Sequence, residues 1–155
     1  VVDGKPMAES AAIALLLAER HPDAKLVPAA DDPARATFLQ WTFALANTLQ
    51  PNFRLWWYPA EGAGEANVDA TKATVRARIE KFWDRLDAHL AANGPCVCGE
   101  RFTLADLYAT MLMRWSRGMP KTALEWPHLK ALADRVRARP SWTTLYEREG
   151  LTEWV

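Results

Sequence analysis

The residues best suited to chemistry lie near the start of the chain. Glu9-Ser10 falls where an extended segment gives way to a helical pattern. A helix N-terminus presents unpaired N–H groups and a partial positive charge, so it attracts carboxylates. A serine there offers an anion both its hydroxyl and its backbone N–H, and the preceding glutamate can pair with an ammonium group. Together they suit an amino-acid head group, with the carboxylate on serine and the amine on glutamate. On spacing alone the plainer reading is preferred, a serine cap with an acidic neighbour.

The other reactive side chains make weaker patterns. Cys96 and Cys98 are the only cysteines. Their C-x-C spacing is one residue short of the redox motif, and two thiols do not complete a tetrahedral zinc site, so two reduced thiols near a helix start are expected. His21, His89 and His128 are scattered. Glu125-Trp126-Pro127-His128 has the Glu-x-x-His spacing of di-iron bundles, but such sites need two of these motifs and further inward carboxylates, so no metal is expected. The absence of H-E-x-x-H, G-x-S-x-G and Walker patterns excludes zinc proteases, serine hydrolases and P-loop enzymes. Arg135, Arg137 and Arg139 alternate around a helix and read as a solvated face offset by Asp134 and Glu147.

The chain must carry these residues on a single ordinary core. It has 155 residues, half of them hydrophobic, with 8 tryptophans. That length needs neither disulfide nor metal to hold it. Nineteen basic against 19 acidic side chains give no bulk attraction for phosphate, so a dedicated nucleic-acid binder is excluded. No apolar run approaches the roughly 18–20 residues of a membrane span. The start, Val1-Val2, has no basic region before the short apolar stretch Ala11 to Ala18, and no export signal is expected.

Two unequal pieces are expected. Residues 1–30 read as the end of an α/β unit: a strand end at Val1-Val2, a turn at Asp3-Gly4, an extended Lys5-Pro6-Met7, then a helix from Ser10 to the stop at Pro22. Two short strands and one helix cannot enclose a core, so this piece should pack against something absent from the chain. Residues 31–155 read as all-α. Asp32 before Pro33 predicts an N-cap, and Phe38, Trp41, Leu45 and Leu49 mark one helix face that Pro51 should end. Asn52 to Asn67 reads as a loop holding the aromatics Phe53, Trp56, Trp57 and Tyr58, with a flexible glycine tip. Val75, Ile79, Phe82, Trp83, Leu86 and Leu90 predict the cleanest helix, stopped by Asn93-Gly94-Pro95. Thr103 and Asp106 form a capping box, from which Leu107, Tyr108, Met111, Leu112 and Trp115 run inward. Leu129, Leu132 and Val136 mark a further helix up to Pro140, and Ser141 is expected to cap a last short one.

Two segments then show a family likeness. The run from Val1 to Ile13, with its Glu9-Ser10-Ala11-Ala12-Ile13, resembles the end of the thioredoxin-like domain in cytosolic glutathione transferases of bacterial type, where an E-S-x-A-I signature follows a strand and a turn. Gly99 to Tyr108 resembles that family's G-x-x-F-[ST]-x-A-D-x-Y segment, whose capping box starts a buried central helix. The likeness spans essentially the whole chain. It implies a mainly all-α fold, a glutathione transferase C-terminal-like helical bundle preceded by a remnant of a thioredoxin-like α/β domain.

The resemblance assigns roles to residues. Glu9 and Ser10 match the pair that holds the γ-glutamyl end of glutathione, the substrate. Thr103 and Asp106 match structural positions. Trp115 resembles an aromatic lining the hydrophobic substrate pocket, with a plain core role as the other reading, and Met111, Phe43 and Asn47 are expected in the same pocket. The helix from Pro33 to Gln50 would help form that pocket and a homodimer contact. Gln50 stands where one bacterial class carries a ligand-binding histidine.

The resemblance also places the catalytic tyrosine, serine or cysteine, and most of the sheet, in a segment of roughly 50–70 residues upstream of Val1. The chain alone is therefore expected to be inactive. The implied activity is conjugation of the glutathione thiolate to a hydrophobic electrophile in a cytoplasmic detoxification enzyme, with no metal, nucleic acid or membrane involved. A non-catalytic transferase-like binding or assembly module is the alternative, and the Glu9-Ser10 pair argues against it.

Overall fold

The computed structural model of the chain describes residues 1–154. Eight α-helices follow one another: α1 (Ser10–Arg20), α2 (Arg35–Ala44), α3 (Gln50–Trp57), α4 (Pro59–Ala63), α5 (Val68–Asn93), α6 (Leu104–Trp115), α7 (Pro127–Arg137) and α8 (Pro140–Glu149). Among the described residues β pairing is limited to isolated antiparallel bridges, including Val2 with Lys5 around the Asp3-Gly4 turn. Asp3 and Gly4 both take positive φ there, as a tight hairpin turn requires.

The long helix α5 forms as its pattern dictates. Its six apolar residues at three- and four-residue steps, Val75 to Leu90, are all buried. Gly94 ends it at φ 120°, where a Cβ would stand 3.3 Å from the Gly99 backbone, so only glycine fits the turn. Helix α5 packs on α3, α4 and α7, and α6 packs on α1, α2 and α7. The buried face of α6 includes Ala105, Tyr108, Ala109, Leu112 and Met113.

The start of α6 is fixed by a carboxylate. Asp106 is fully buried. Its Oδ2 accepts the Thr103 N–H at 2.7 Å and the Thr103 hydroxyl at 3.0 Å, and its Oδ1 accepts the Val97 N–H at 2.7 Å. Burial pushes this carboxyl up from the ordinary aspartate value, and the N–H groups of Val97 and Thr103 hold it back. Leu104 N–H also donates to Leu26 O at 2.8 Å, which pins the connection between α1 and α2 to the same point.

Three expectations about helix ends are corrected. Pro51 does not end its helix. A π-helical turn, Leu45–Leu49, joins α2 to α3, and the Gln50 N–H bonds Leu45 O five residues back. Pro51 then falls in the first turn of α3, where a missing N–H leaves no bond broken. The Asn52 side chain donates to Thr48 O at 2.7 Å. Asn52 to Asn67 is consequently not a loop: Phe53, Trp56 and Trp57 continue the stripe of Leu45 and Leu49 on α3, and α4 follows. Arg54 clasps Glu61 through two bonds of 2.9 and 2.7 Å and closes the corner between them.

Asp32 caps an entry turn, its Oδ1 accepting the Ala34 N–H at 2.8 Å, and the helix itself begins at Arg35. At α8 the proline takes the first helical position and Arg139 the cap, so Ser141 lies inside the first turn. Helix α1, from the piece expected to need an outside partner, packs Ala11, Ala14 and Leu15 on the common core and leaves Leu17 half-exposed.

Candidate functional site

The N-terminus of α1 opens on a cleft of about 920 Å³, at the upper end of the range typical of small-molecule sites. The first helical bond runs from the Ile13 N–H to Glu9 O, 2.9 Å, so the N–H groups of Ser10, Ala11 and Ala12 head the helix without intrahelical acceptors. All three residues line the cleft, as does Glu9. Glu9 is held at φ 70°, ψ 99°, a conformation that costs a non-glycine residue about 1–3 kcal/mol and persists where surroundings enforce it. Its carboxylate pairs with no cation among the described residues.

The opposite wall is aromatic. Helix α2 contributes Phe43, the π turn Asn47, α3 Gln50 and Phe53, and α6 Tyr108 and Trp115. Trp115 meets Phe53 edge to face, with centroids 6.1 Å apart at 85°. Trp57 completes the far side. Its ring lies over Gly118, where a Cβ would come within 2.7 Å of the indole, and the Arg117 guanidinium stands 5.4 Å above it. Gln50 and Tyr108 share a hydrogen bond, and the Tyr108 hydroxyl also lies 2.8 Å from Ser10 Oγ.

The structure therefore brings Glu9, Ser10, Phe43, Asn47 and Trp115 to one cleft, and Trp115 is only partly buried. Met111 does not join them. It is 37% exposed and lies outside the lining, because the α6 boundary of the cleft is set by Tyr108 and Trp115. Thr103 and Asp106 lie away from the cleft, at the buried start of α6. Sequence reasoning misses Arg54, Trp57 and Tyr58 as wall residues, since a loop over 52–67 hides the helix that carries them to the cleft, and it misses Arg117, which lies in the turn after α6. The sequence pattern marks Tyr108 only as an inward helix residue.

The remaining reactive groups serve structure. Glu125 caps its own turn by accepting the Thr122 N–H at 2.9 Å, and the His128 N–H donates to Asp87 at 2.8 Å. His89 lies against Trp41, with ring centroids 4.9 Å apart at a tilt of 48°. Among the described residues no group of three or more His, Cys, Asp and Glu side chains is placed to hold a metal, and no helix is long and apolar enough to cross a membrane. Neither cysteine lines the cleft. Burial, with the nearby Asp106 carboxylate, pushes the Cys96 thiol up to about 11, and burial raises Cys98 as well.

Both thiols are thus protonated at neutral pH, and the thiolate is the reactive form. Alkylation of the native protein by iodoacetamide at pH 7 is expected to be slow at both positions and to accelerate between pH 9 and about 11. Mass spectrometry after timed quenching reads this, and rapid labelling at pH 7 would contradict the burial.

The sequence pattern of the family described as "Glutathione S-transferase, C-terminal domain" matches residues 12–140. The chain belongs to the glutathione S-transferase family. "Glutathione S-transferase GstA" of Escherichia coli O157:H7 is 28% identical over 149 residues, which cover 96% of this chain and 71% of that protein. BphK, a bacterial GST solved in a ternary complex, superposes with a TM-score of 0.83 at 25% identity, over 97% of this chain and 72% of that one. The theta class glutathione S-transferase of Xanthomonas axonopodis pv. citri, solved with glutathione bound, gives a TM-score of 0.71 at 28% identity, over 96% of this chain and 75% of that one.

Proposed function

We propose that this chain supplies the glutathione-positioning end and the electrophile pocket of a glutathione transferase. The observation that carries the reading is that Glu9 and Ser10, at the head of α1, open on the same cleft as Phe43, Phe53 and Trp115. The γ-glutamyl carboxylate of glutathione is received by the Ser10 hydroxyl and the free N–H groups of α1, and its ammonium by Glu9. The cysteinyl sulfur then extends toward the aromatic wall, where a hydrophobic electrophile stacks.

The sulfur's electron pair forms the new C–S bond and the leaving group departs with its own pair. Holding the two partners together makes that step effectively unimolecular, which is the contribution of these residues. By the family resemblance, the side chain that stabilises the thiolate belongs to the family's thioredoxin-like domain. The working enzyme is, in the same reading, a cytoplasmic homodimer. The unpaired Glu9 carboxylate beside free helix N–H groups favours this over a purely structural module, which has no use for a zwitterion site.

Steady-state kinetics of the full-length protein with a chloronitrobenzene substrate test the assignment. Ser10→Ala removes one hydrogen bond to a charged group, worth about 1.5–3 kcal/mol. KM for glutathione is expected to rise about 10-fold or more, with a smaller change in kcat at saturating glutathione. An unchanged KM would remove Ser10 from the site.

A further inference from the structure

Three helices meet in one hydrogen-bond chain at the head-group end of the cleft. The Ser10 and Tyr108 hydroxyls are 2.8 Å apart, although 98 residues separate them in sequence, and the Tyr108 hydroxyl donates to Gln50 Oε1. Tyr108 is buried apart from its share of the cleft wall. Tyr108 has one proton. With that proton on Gln50, the bond between the two hydroxyls forms only with Ser10 as donor. The Ser10 proton therefore points into the chain and away from the cleft.

A carboxylate accepts hydrogen bonds and donates none. To hold one, Ser10 must turn its proton outward, which leaves its lone pair facing that of Tyr108 at 2.8 Å. The conflict resolves if Tyr108 turns its proton to Ser10. The lone pairs of Gln50 Oε1 and the tyrosine oxygen then oppose each other, unless the amide rotates and Nε2 becomes the donor. Glutamine can do this because its amide has one donor end and one acceptor end.

We propose that Ser10, Tyr108 and Gln50 form a reversible hydrogen-bond relay, in which Tyr108 and Gln50 are positioning residues for the carboxylate held at the α1 N-terminus. The relay rests on the head-group reading of Glu9 and Ser10 given above. Reversed, it runs Gln50 to Tyr108 to Ser10 to carboxylate, and each bond polarises the next, so Ser10 becomes a better donor than an isolated hydroxyl. It also sets a chemical requirement at position 50, where the side chain must be able to donate once the ligand arrives. Gln50 lines the cleft next to Phe53, so the state of the head-group site reaches the electrophile wall through a single side chain.

Calorimetric titration of glutathione into the full-length protein tests the relay, with thermal melting to verify that each variant folds. Tyr108→Phe and Gln50→Met are expected to weaken binding about 3- to 10-fold, the range of one ordinary hydrogen bond. In Tyr108→Phe, KM for glutathione is expected to rise by a larger factor than kcat falls, the split a positioning role requires. Gln50→Glu is expected to weaken binding more than Gln50→Met, because an ionised carboxylate accepts only and holds the Ser10 proton turned inward.

The introduced charge also repels an anion directly, and the double variant separates the two effects. Direct repulsion survives loss of the tyrosine hydroxyl, whereas the relay does not. Gln50→Glu should therefore cost several-fold less in the Tyr108→Phe background than in the wild type. Wild-type affinity in Tyr108→Phe, or an equal cost of Gln50→Glu in both backgrounds, would overturn the relay while leaving the head-group reading intact. A wild type that binds no glutathione would overturn that reading, and the relay's ligand with it.

Discussion

Asp106→Asn is expected to destabilise the fold by about 2–4 kcal/mol, although it preserves the shape of the side chain. Asp106 has no exposed surface, and each of its oxygens accepts from backbone: Oδ1 from Val97 and Oδ2 from Thr103, both at 2.7 Å. An asparagine has one acceptor oxygen and one donor nitrogen. Whichever way it sits, an NH₂ group faces a buried N–H group, and one backbone donor loses its partner. Asp106→Ala leaves both without partners and adds a cavity, offset in part by the removal of a desolvated charge. With a total stability of about 5–15 kcal/mol for an ordinary domain, either loss is a large fraction. Urea denaturation followed by tryptophan fluorescence measures it. An Asp106→Asn midpoint equal to the wild type would mean that the box does not hold the start of α6.

The second large effect is at Phe53. Phe53→Ala should cost about 3–5 kcal/mol, the usual range for emptying a buried phenylalanine site. The ring has no exposed surface and sits between Trp83, with centroids 6.3 Å apart, and Trp115 at 6.1 Å. It also forms part of the cleft wall, so its loss removes the edge contact that holds Trp115 in place. The variant is expected to raise KM for an aromatic electrophile several-fold more than KM for glutathione. Phe53→Leu keeps most of the volume and should cost less than about 1.5 kcal/mol. Equal stability of the alanine and leucine variants would show that the ring is not packed as described.

The same residue marks where the sequence was hard to read. The stripe on α5 was legible because its six apolar residues recur at helical steps with charges between them, and all six are buried. The Thr103–Asp106 box was legible because capping is local, a matter of four consecutive residues. Pro51 misled because a proline inside an α-helix normally removes a bond and clashes one turn back. The π turn before it shifts the ladder, so neither cost arises, and nothing local to Pro51 announces that shift. A loop over 52–67 takes Phe53 and Trp57 out of helical register and hides the wall they form.

The candidate site was half legible for a related reason. Glu9 and Ser10 stand at a junction between two backbone patterns, and the chemistry of a helix N-terminus follows from position alone. The hydrogen bonds that tie Ser10 to Tyr108 and Tyr108 to Gln50 span 98 and 58 residues, and no local pattern encodes such a meeting. Met111 shows the converse limit. Helical spacing puts it near Trp115 on α6, but where the cleft stops is decided by the neighbouring helices, and they leave it outside.

The central claim is that the head of α1 receives the γ-glutamyl carboxylate of glutathione. It is tested most directly by comparing the affinity of the full-length protein for glutathione and for glutathione with that one carboxylate amidated, in the wild type and in Ser10→Ala. The wild type is expected to prefer glutathione about 10-fold or more, consistent with a charge-assisted bond. In Ser10→Ala the preference should shrink to about the few-fold that the helix N–H groups alone sustain. The same preference in both proteins, or none in the wild type, would contradict the account.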